Sequence, residues 1–416
     1  MKIHIERSII SGSIKAPRSK SHAIRLIFAS LLSPVEIIDL PRSEDVDAAI
    51  RAVKALGVNV NNNIFELEGK VSIKNDNIYL GGSATSLRIL IPVIAVIGGR
   101  AIIDGDHSLR RRPLDAITKA LNGRGVKISS NRLPVTVEGR LDDTWIRIAG
   151  WESSQYISGF MIAFCLSGGG EIYIEPPIVS KSYIYLTREV LMDFGCYSEI
   201  SGNTIKVERR EKTRFVRAKV EGDYALASFY AVSALTTGGQ LEILDLPEPK
   251  QYIGDHLIVE IYRNMGAESI YIDKAWIVSA SNLYRGIEVD IEDIPDLGLS
   301  IAPLAAISNG VTRIKGAGRL KIKESDRIAS IISVLGSFGV RAWASNDSEI
   351  LIEGNSDSEI EPAEISCMND HRVAMMATPL ALMSGGIIHG AECVNKSNPR
   401  FWEDLVSIGG RVRIEA

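Results

Sequence analysis

The segment Lys323–Arg327, with the sequence KESDR, places charged side chains of both signs directly before an apolar run. Glu324 and Arg327 are spaced to pair across one helical turn, and we expect Lys323 and Arg327 to share a face of that first turn. This pattern is typical of a solvated helix start, but an exposed pair contributes only about 0.3–0.5 kcal/mol. A carboxylate held among cations can also move protons while the cations bind an anionic ligand, so a catalytic role is the alternative.

Cations and hydroxyl groups recur at predicted helix starts in both halves of the chain. Taken singly, each is also explained by helix capping or by a solvated basic turn; Asp296 in particular resembles an ordinary N-cap. Taken together they favour a site for several negative charges, because free N–H groups at helix starts bind oxyanions. The residues are Lys20, Ser21, Arg25, Ser83, Thr85, Ser86, Arg88, Arg110, Arg111, Arg112, Ser153, Ser154, Gln155, Asp296, His371 and Arg372.

One supersecondary unit repeats along the whole chain. An amphipathic helix, a glycine and a short alternating strand recur at roughly 70-residue intervals, with glycines at Gly57, Gly125, Gly195, Gly266, Gly339 and Gly409. Glycine just past a helix turns the chain cheaply into the next strand. The repeat predicts an α/β protein with three units in each of two domains, and the basic stretch Val207–Gly222 places a hinge near residues 220–222.

Bulk composition narrows the class of protein. The net charge of −4 argues against a general nucleic-acid or membrane-surface binder. Cys165, Cys196, Cys367 and Cys393 lie far apart, which predicts free thiols in a reducing compartment and no metal site. The N-terminus lacks a signal-peptide core, and the apolar stretch Leu87–Gly99 is too short to span a bilayer. These features predict a soluble cytoplasmic protein.

The motifs occur in an order that closely resembles the 5-enolpyruvylshikimate-3-phosphate synthase family. They are SKSxxxR, LGxxxTxxR, GDxSLRxRP, SSQ, SKxY, IPD, KESDR and NDHR, and they span nearly the entire chain. The resemblance implies two similar domains, each of three βαβαββ-type units in an inside-out α/β barrel, closing over a central cleft. It implies a discontinuous domain of residues 1–13 and 221–416 and a second of residues 14–220, with hinges near 13–15 and 220–222.

The resemblance also implies a reaction and its residues. The enolpyruvyl group of phosphoenolpyruvate passes to the 5-hydroxyl of shikimate 3-phosphate, without a metal or other cofactor, in a monomeric enzyme. The implied catalytic residues are Asp296, Glu324, Lys323 and Lys20. The implied contacts to shikimate 3-phosphate are Lys20, Ser21, Arg25, Ser153, Ser154, Gln155, Ser180, Tyr183, Asp296 and Lys323. The implied contacts to phosphoenolpyruvate are Lys20, Ala84, Arg88, Arg112, Gln155, Arg327, Arg372 and Lys396.

The sequence departs from the family pattern at several positions. Gly82 stands where Asn is frequent, Arg319 replaces a frequent Asn, and Tyr224–Leu226 replace a small-residue segment. Ala84 stands where Gly is frequent, beside the implied phosphoenolpyruvate pocket. Its methyl group should narrow the space for the longer inhibitor glyphosate, so we expect reduced glyphosate sensitivity.

Two other functions remain as alternatives. UDP-N-acetylglucosamine enolpyruvyl transferase has a fold that resembles the implied one and uses the same donor, phosphoenolpyruvate. It should carry a cysteine near the GDxS segment, where this chain has none. A catalytically silent phosphate-binding protein would have no need of both Asp296 and Glu324 beside anions. The shikimate substrate is therefore favoured.

Overall fold

The computed structural model describes residues 1–250, 252–354 and 359–415. Its contacts divide the chain into two compact units. The terminal unit comprises Met1–Pro17, Glu221–Lys250 and Gly254–Ala416, and the inserted unit comprises Arg18–Val220 with Gln251–Ile253. This division falls after Pro17 and after Val220, whereas the sequence places the domain boundaries after residues 13 and 220.

The strands are short and alternate in burial. In chain order they are β1 (Lys2–Glu6), β2 (Gly12–Lys15), β3 (Val35–Ile38), β4 (Val58–Asn61), β5 (Ile64–Leu67), β6 (Asn77–Tyr79), β7 (Gly99–Asp104), β8 (Val126–Ile128), β9 (Val135–Gly139), β10 (Trp145–Ala149), β11 (Gly169–Glu175), β12 (Cys196–Ser201), β13 (Thr204–Arg209), β14 (Val216–Lys219), β15 (Gln240–Leu244), β16 (Glu268–Ile272), β17 (Ala275–Ser279), β18 (Glu288–Asp290), β19 (Gly310–Lys315), β20 (Arg341–Asn346), β21 (Glu349–Gly354), β22 (Ala363–Ser366), β23 (Gly386–His389) and β24 (Arg411–Glu415).

The helices connect these strands. In chain order they are α1 (Lys20–Ala29), α2 (Glu44–Ala55), α3 (Ala84–Ile97), α4 (His107–Arg110), α5 (Asp115–Leu121), α6 (Ser154–Ser167), α7 (Ser182–Asp193), α8 (Tyr224–Thr236), α9 (Ile258–Asn264), α10 (Gly298–Ala306), α11 (Arg327–Ser337), α12 (His371–Ser384) and α13 (Phe401–Ser407). Single 3-10 turns lie at Gly254–Leu257, Pro295–Leu297, Ala317–Ile322 and Ala391–Lys396.

The predicted repeat is present as a repeated sheet. Among the described residues there are six four-stranded sheets: β14-β3-β5-β4, β6-β7-β9-β8 and β10-β11-β13-β12 in the inserted unit, and β22-β23-β1-β24, β16-β17-β15-β2 and β18-β19-β21-β20 in the terminal unit. Each contains one parallel pair followed by two antiparallel pairs, as β10 with β11, β11 with β13 and β13 with β12 show. The six repeat glycines all have positive φ, the left-handed conformation that a helix-to-strand turn requires.

Each unit has its own apolar interior. The helices α3 and α6 of the inserted unit are buried over nearly their whole length, and so are α8, α10 and α12 of the terminal unit. Helices that are apolar on all sides are expected in such a position. Gly159 permits the close approach of α6 to α3, because an added Cβ would lie 2.8 Å from Pro92 Cγ and 2.9 Å from the Arg88 carbonyl oxygen.

The prediction of free thiols is wrong for one pair of cysteines. Cys165, near the end of α6, and Cys196, at the start of β12, form a disulfide within the inserted unit. Their sequence separation of 31 gave no such indication, because spacing along the chain does not report distance in the fold. Cys367 and Cys393 of the terminal unit are free and buried.

No helix in the described ranges is long and apolar enough to cross a membrane. Within the same residues, no group of three or more His, Cys, Asp or Glu side chains is placed to hold a metal ion.

Candidate active site

Asp296 of the terminal unit lies in the turn Pro295–Leu297 and accepts hydrogen bonds from three cationic side chains. Arg327 Nη1 lies 2.9 Å and Lys323 Nζ 3.4 Å from Oδ1, and Arg372 Nη2 lies 3.2 Å from Oδ2. The side chain caps neither the turn nor α10, so the interpretation of Asp296 as an ordinary N-cap is wrong. Burial alone would raise the pKa of Asp296, but Arg372, Lys323 and Arg327 together hold it well below its usual range.

Arg327 is 1% exposed and is held by carboxylates on several sides. Its Nε and Nη2 donate to the two oxygens of Asp370 over 2.8 and 3.1 Å, and Nη2 also donates to Glu324 over 2.9 Å. Burial opposes the charge of the guanidinium, but Asp370, Glu324 and Asp296 outweigh that effect and raise the pKa of Arg327 above its usual value. Arg327 is therefore fully charged, and its guanidinium group is held by carboxylates.

The KESDR segment is divided by the start of α11. Asp326 is the N-cap and accepts a hydrogen bond from the Ala329 N–H over 3.1 Å, so the helix begins at Arg327. Lys323 is extended, with φ −83° and ψ −154°. The prediction that Lys323 lies in the first helical turn is therefore wrong, although the predicted pair between Glu324 and Arg327 is present.

Lys323 and Lys396 are the lysines nearest to these carboxylates in the described contacts. Burial lowers the pKa of Lys323 to about 8, against the opposing effect of Asp296, and the cations Arg319 and Arg327 lower it further. Lys396, which the sequence placed in a loop, lies in the turn Ala391–Lys396 with Nζ 4.0 Å from Glu324 Oε1. The cluster thus contains two carboxylates, two lysines and two arginines: Asp296, Glu324, Lys323, Lys396, Arg327 and Arg372. Such a set of groups is suited to proton transfer beside bound anions.

Asp370 is a functional residue whose role sequence reasoning missed. It precedes α12 in the NDHR motif, of which only His371 and Arg372 were considered as candidate site residues. It does cap that helix, accepting from the Arg372 N–H over 3.0 Å, but it also orients Arg327 and accepts from Ser325 Oγ over 3.0 Å. Its position next to His371 and Arg372 was the available signal, since a fully buried carboxylate requires a cationic partner.

In the inserted unit, Arg25 joins three helices. From α1 it donates through Nε to Thr187 Oγ1 on α7 over 2.8 Å, and through Nη2 to Ser158 Oγ on α6 over 3.2 Å. Nη1 donates to the Ser21 carbonyl oxygen over 2.8 Å, and the guanidinium carbon lies 5.4 Å from the centre of the Tyr183 ring. Burial lowers the pKa of Arg25 to about 10. The predicted residues Ser21, Arg25 and Tyr183 are therefore neighbours, while Ser158 and Thr187 were not predicted.

A second group in the inserted unit surrounds Gln155. Its Nε2 donates to Thr85 Oγ1 over 2.8 Å, and its Oε1 accepts from Arg88 Nη1 over 3.2 Å. Gln155 therefore connects the start of α6 to the start of α3, where Ala84 is the first helical residue and is 8% exposed. The structure therefore brings Gln155 and Arg88 into contact near Ala84, the first residue of α3.

The remaining predicted residues of the inserted unit lie at helix starts. Ser153 is the N-cap of α6, Ser154 is its first residue, and both are buried. Ser180 has φ +51° just before α7. Lys20 begins α1 and donates to Asp45 Oδ2 over 2.7 Å, a partner that the sequence did not indicate. Helix starts that carry hydroxyl groups and a cation suit oxyanion binding.

The three adjacent arginines Arg110, Arg111 and Arg112 differ in exposure. Arg110 pairs with Asp104, with Nε 2.9 Å from Oδ1, and its side chain is half exposed. Arg111 is exposed, whereas Arg112 is 7% exposed. Of the three, Arg112 is the one buried in the inserted unit and the one implied as a ligand.

Comparisons with known proteins agree with this geometry. The family model described as EPSP synthase (3-phosphoshikimate 1-carboxyvinyltransferase) matches residues 6–405. The chain belongs to the EPSP synthase family. A relative named 3-phosphoshikimate 1-carboxyvinyltransferase from Saccharolobus islandicus is 50% identical over 416 residues, and one of the same name from Sulfurisphaera tokodaii is 49% identical over 414 residues. Both alignments cover 100% of each chain.

A solved EPSP synthase from Acinetobacter baumannii has the same fold. It superposes with a TM-score of 0.80 at 24% identity and covers 99% of this chain and 100% of its own. The predicted α/β fold class, with repeated units in an inside-out barrel, is confirmed by this likeness and by the repeated sheets.

Proposed function

We propose that this chain transfers the enolpyruvyl group of phosphoenolpyruvate to the 5-hydroxyl of shikimate 3-phosphate and releases phosphate. The reaction is an addition followed by an elimination, through a tetrahedral intermediate. The observation that carries the proposal is the ionised Asp296 within hydrogen-bond reach of Lys323, Arg327 and Arg372, with Glu324 bound to the same Arg327. Two carboxylates in different surroundings can divide the proton transfers of such a reaction.

In the addition step, Asp296 accepts the proton of the 5-hydroxyl while Glu324, aided by Lys323, delivers a proton to the methylene carbon of phosphoenolpyruvate. The hydroxyl oxygen then bonds to the vinyl carbon. In the elimination step a proton leaves the methyl group, the bond to the phosphate oxygen breaks and the double bond re-forms. The same carboxylates serve both steps in opposite directions.

Ligand binding changes the basicity of Asp296. Arg327 and Arg372 now hold the carboxylate of Asp296 and keep its pKa low, which makes it a weak base. The carboxylate of phosphoenolpyruvate matches a planar guanidinium and competes for these two arginines. When they turn to the substrate, Asp296 loses stabilising charge and becomes a stronger base at the moment the hydroxyl is present.

Most of the proposed contacts to shikimate 3-phosphate lie in the inserted unit. Ser153, Ser154 and Ser180 bind its phosphate, because hydroxyl and amide donors at helix starts suit an oxyanion. Ser21, Arg25, Gln155 and Tyr183 surround the ring, with Lys20 beside them, and Asp296 and Lys323 approach its 5-hydroxyl. The cluster around Arg25 is fixed by Thr187 and Ser158, so these donors are ordered before the ligand binds.

The proposed contacts to phosphoenolpyruvate follow the family resemblance. Lys20, Arg112 and Lys396 bind its phosphate and stabilise the charge that develops as phosphate leaves. Arg88, Gln155 and Ala84 border the same ligand, and Arg327 and Arg372 bind its carboxylate. Lys20 also acts as a catalytic cation, released from Asp45 to the substrate.

Release of inorganic phosphate tests the proposal. The protein should release phosphate in the presence of both shikimate 3-phosphate and phosphoenolpyruvate, and not with either alone. Replacing shikimate 3-phosphate by UDP-N-acetylglucosamine distinguishes the related transferase, and Asp296→Asn is the inactive control. Release with UDP-N-acetylglucosamine, or ligand binding without release, would overturn the proposed reaction.

We also propose that the terminal and inserted units are two domains with hinges near residues 13–15 and 220–222, and that the enzyme is a cytoplasmic monomer. Discontinuity of the terminal unit supports the first point, since β1 pairs with β23 and β24. Sedimentation velocity should give a single species of the chain mass, 45.4 kDa. A concentration-dependent dimer would contradict the monomer.

A further inference from the structure

Two free cysteines of the terminal unit lie on segments that lead directly to the candidate site. Cys367 follows β22 and precedes Asp370 by three residues, and Cys393 lies in the turn Ala391–Lys396 and precedes Lys396 by three residues. Both side chains are buried, with 1% and 8% exposure. The proposed mechanism uses neither of them.

The same carbonyl group contacts both cysteines. Cys367 Sγ lies 2.8 Å from the Gly390 carbonyl oxygen and donates to it as a thiol, while the backbone N–H of Cys393 donates to that oxygen over 3.0 Å. The side chain of Cys367 and the backbone of Cys393 therefore meet at one carbonyl oxygen. Gly390 leaves room for this arrangement, because an added Cβ would lie 3.1 Å from Cys367 Sγ.

The surroundings distinguish the two sulfurs. Hydrogen bonding from Cys393 lowers the pKa of Cys367 against the opposing effect of burial, and the N–H groups of Asn369 and Asp370 lower it further. Met368 and Asn369, which follow Cys367, both have left-handed φ, +53° and +57°. The Cys393 pKa is raised, chiefly by its hydrogen bond to Cys367. Cys367 is thus the more nucleophilic partner.

We propose that Cys367 and Cys393 are an oxidation-sensitive pair that forms a disulfide and thereby lowers enzyme activity. Hydrogen peroxide is the oxidant. The Cys367 thiolate attacks one peroxide oxygen, the O–O bond breaks, and hydroxide leaves with the displaced electron pair, so that Cys367 becomes a sulfenic acid. Cys393 sulfur then displaces the hydroxyl group from Cys367 and an S–S bond forms. In total two thiols and one peroxide give one disulfide and two waters.

The Cys367–Cys393 disulfide affects the candidate active site through the residues that follow each cysteine. A disulfide holds its two sulfurs about 2.05 Å apart, so it ties the segment after β22 to the turn Ala391–Lys396. Cys367 leads into Asp370, which orients Arg327, and Cys393 leads into Lys396, 4.0 Å from Glu324. The loss of activity rests on the proposed function; the disulfide itself does not.

The disulfide of the inserted unit provides the matched control. Cys165 and Cys196 are already oxidised and belong to a separate unit. The double variant C165S/C196S should therefore leave the response to peroxide unchanged. C367A/C393A should keep the basal activity and lose the response.

The experiment treats the reduced full-length enzyme with hydrogen peroxide, blocks free thiols with N-ethylmaleimide, and maps cross-linked peptides by mass spectrometry alongside activity. We expect a Cys367–Cys393 linked peptide and a loss of activity of about tenfold that dithiothreitol reverses. C393A should instead yield a Cys367 sulfenic acid that dimedone labels. The absence of the linked peptide would overturn the proposed Cys367–Cys393 disulfide, whatever the measured activity. The same activity loss in C367A/C393A would overturn its effect on the site.

Discussion

Arg327 donates from Nε to Asp370 Oδ2 over 2.8 Å and from Nη2 to Asp370 Oδ1 over 3.1 Å. A carboxylate with 0% exposure thereby fixes the plane of an arginine with 1% exposure. The opposite edge of the guanidinium is left to Asp296 and Glu324, groups that an anionic substrate can replace. Asp370 is therefore the positioning residue and the other two carboxylates are the exchangeable partners.

Asp370→Asn should weaken both stability and phosphoenolpyruvate binding. It removes a buried charge opposite Arg327, which we expect to lower the free energy of unfolding by about 3 kcal/mol. Denaturant titration measures that loss, and steady-state kinetics should show a raised KM for phosphoenolpyruvate. Asp326→Asn is the matched control, because Asp326 caps α11 from an exposed position and Asn is an equally good N-cap. Equal effects from both substitutions would contradict the positioning role.

Glu324→Gln should lose turnover far more than ligand binding. Glutamine keeps the shape and an acceptor for Arg327 but delivers no proton to the methylene carbon. We expect kcat to fall by about 100-fold or more, with the Kd of shikimate 3-phosphate nearly unchanged. Rapid-quench measurement of a single turnover, together with calorimetric binding, separates the two quantities. Losses of equal size in both would argue against Glu324 as the acid.

Deprotonation of Lys323 should lower kcat/KM at alkaline pH and so produce an alkaline limb in the pH profile. Because its pKa in the free protein is about 8, its positive charge is lost as the pH rises through that value, and kcat/KM should fall above about pH 8. Lys323→Arg retains the charge, so the limb should move to higher pH even if the overall rate is lower. The control is Lys321→Arg, at an exposed lysine paired with Asp347. An unchanged limb in Lys323→Arg would assign the titration to another group.

Ala84→Gly should increase inhibition by glyphosate. Removing the methyl group at the start of α3 widens the region bordered by Gln155 and Arg88, where the longer inhibitor needs space. Inhibition constants should be compared with the KM for phosphoenolpyruvate in both proteins. Ala116→Gly, at a similarly buried position near the start of α5, controls for the cost of glycine in a helix. Tight inhibition of the unsubstituted enzyme, unaltered in Ala84→Gly, would contradict the expectation.

The sequence by itself determined the repeat, the fold class and the family. Glycine after an amphipathic helix is a local signal, and each of the six repeat glycines has the positive φ that this signal predicts. The order of the motifs predicted the reaction, because residue types at fixed spacing define which charges lie together at one helix start. The pair between Glu324 and Arg327 was predictable for the same reason, because three residues of separation place them one turn apart.

Tertiary structure alone decided which distant side chains meet. Arg327 and Asp370 are 43 residues apart, Arg25 and Thr187 are 162 apart, and Cys165 bonds to Cys196 across 31 residues. These partners are selected by how helices and sheets pack, and local periodicity holds no information about that packing. The start of α11 shows the same limit at short range. Asp326 is the N-cap, so Lys323 and Glu324 lie before the helix, where Lys323 contacts Asp296 and Glu324 contacts Arg327.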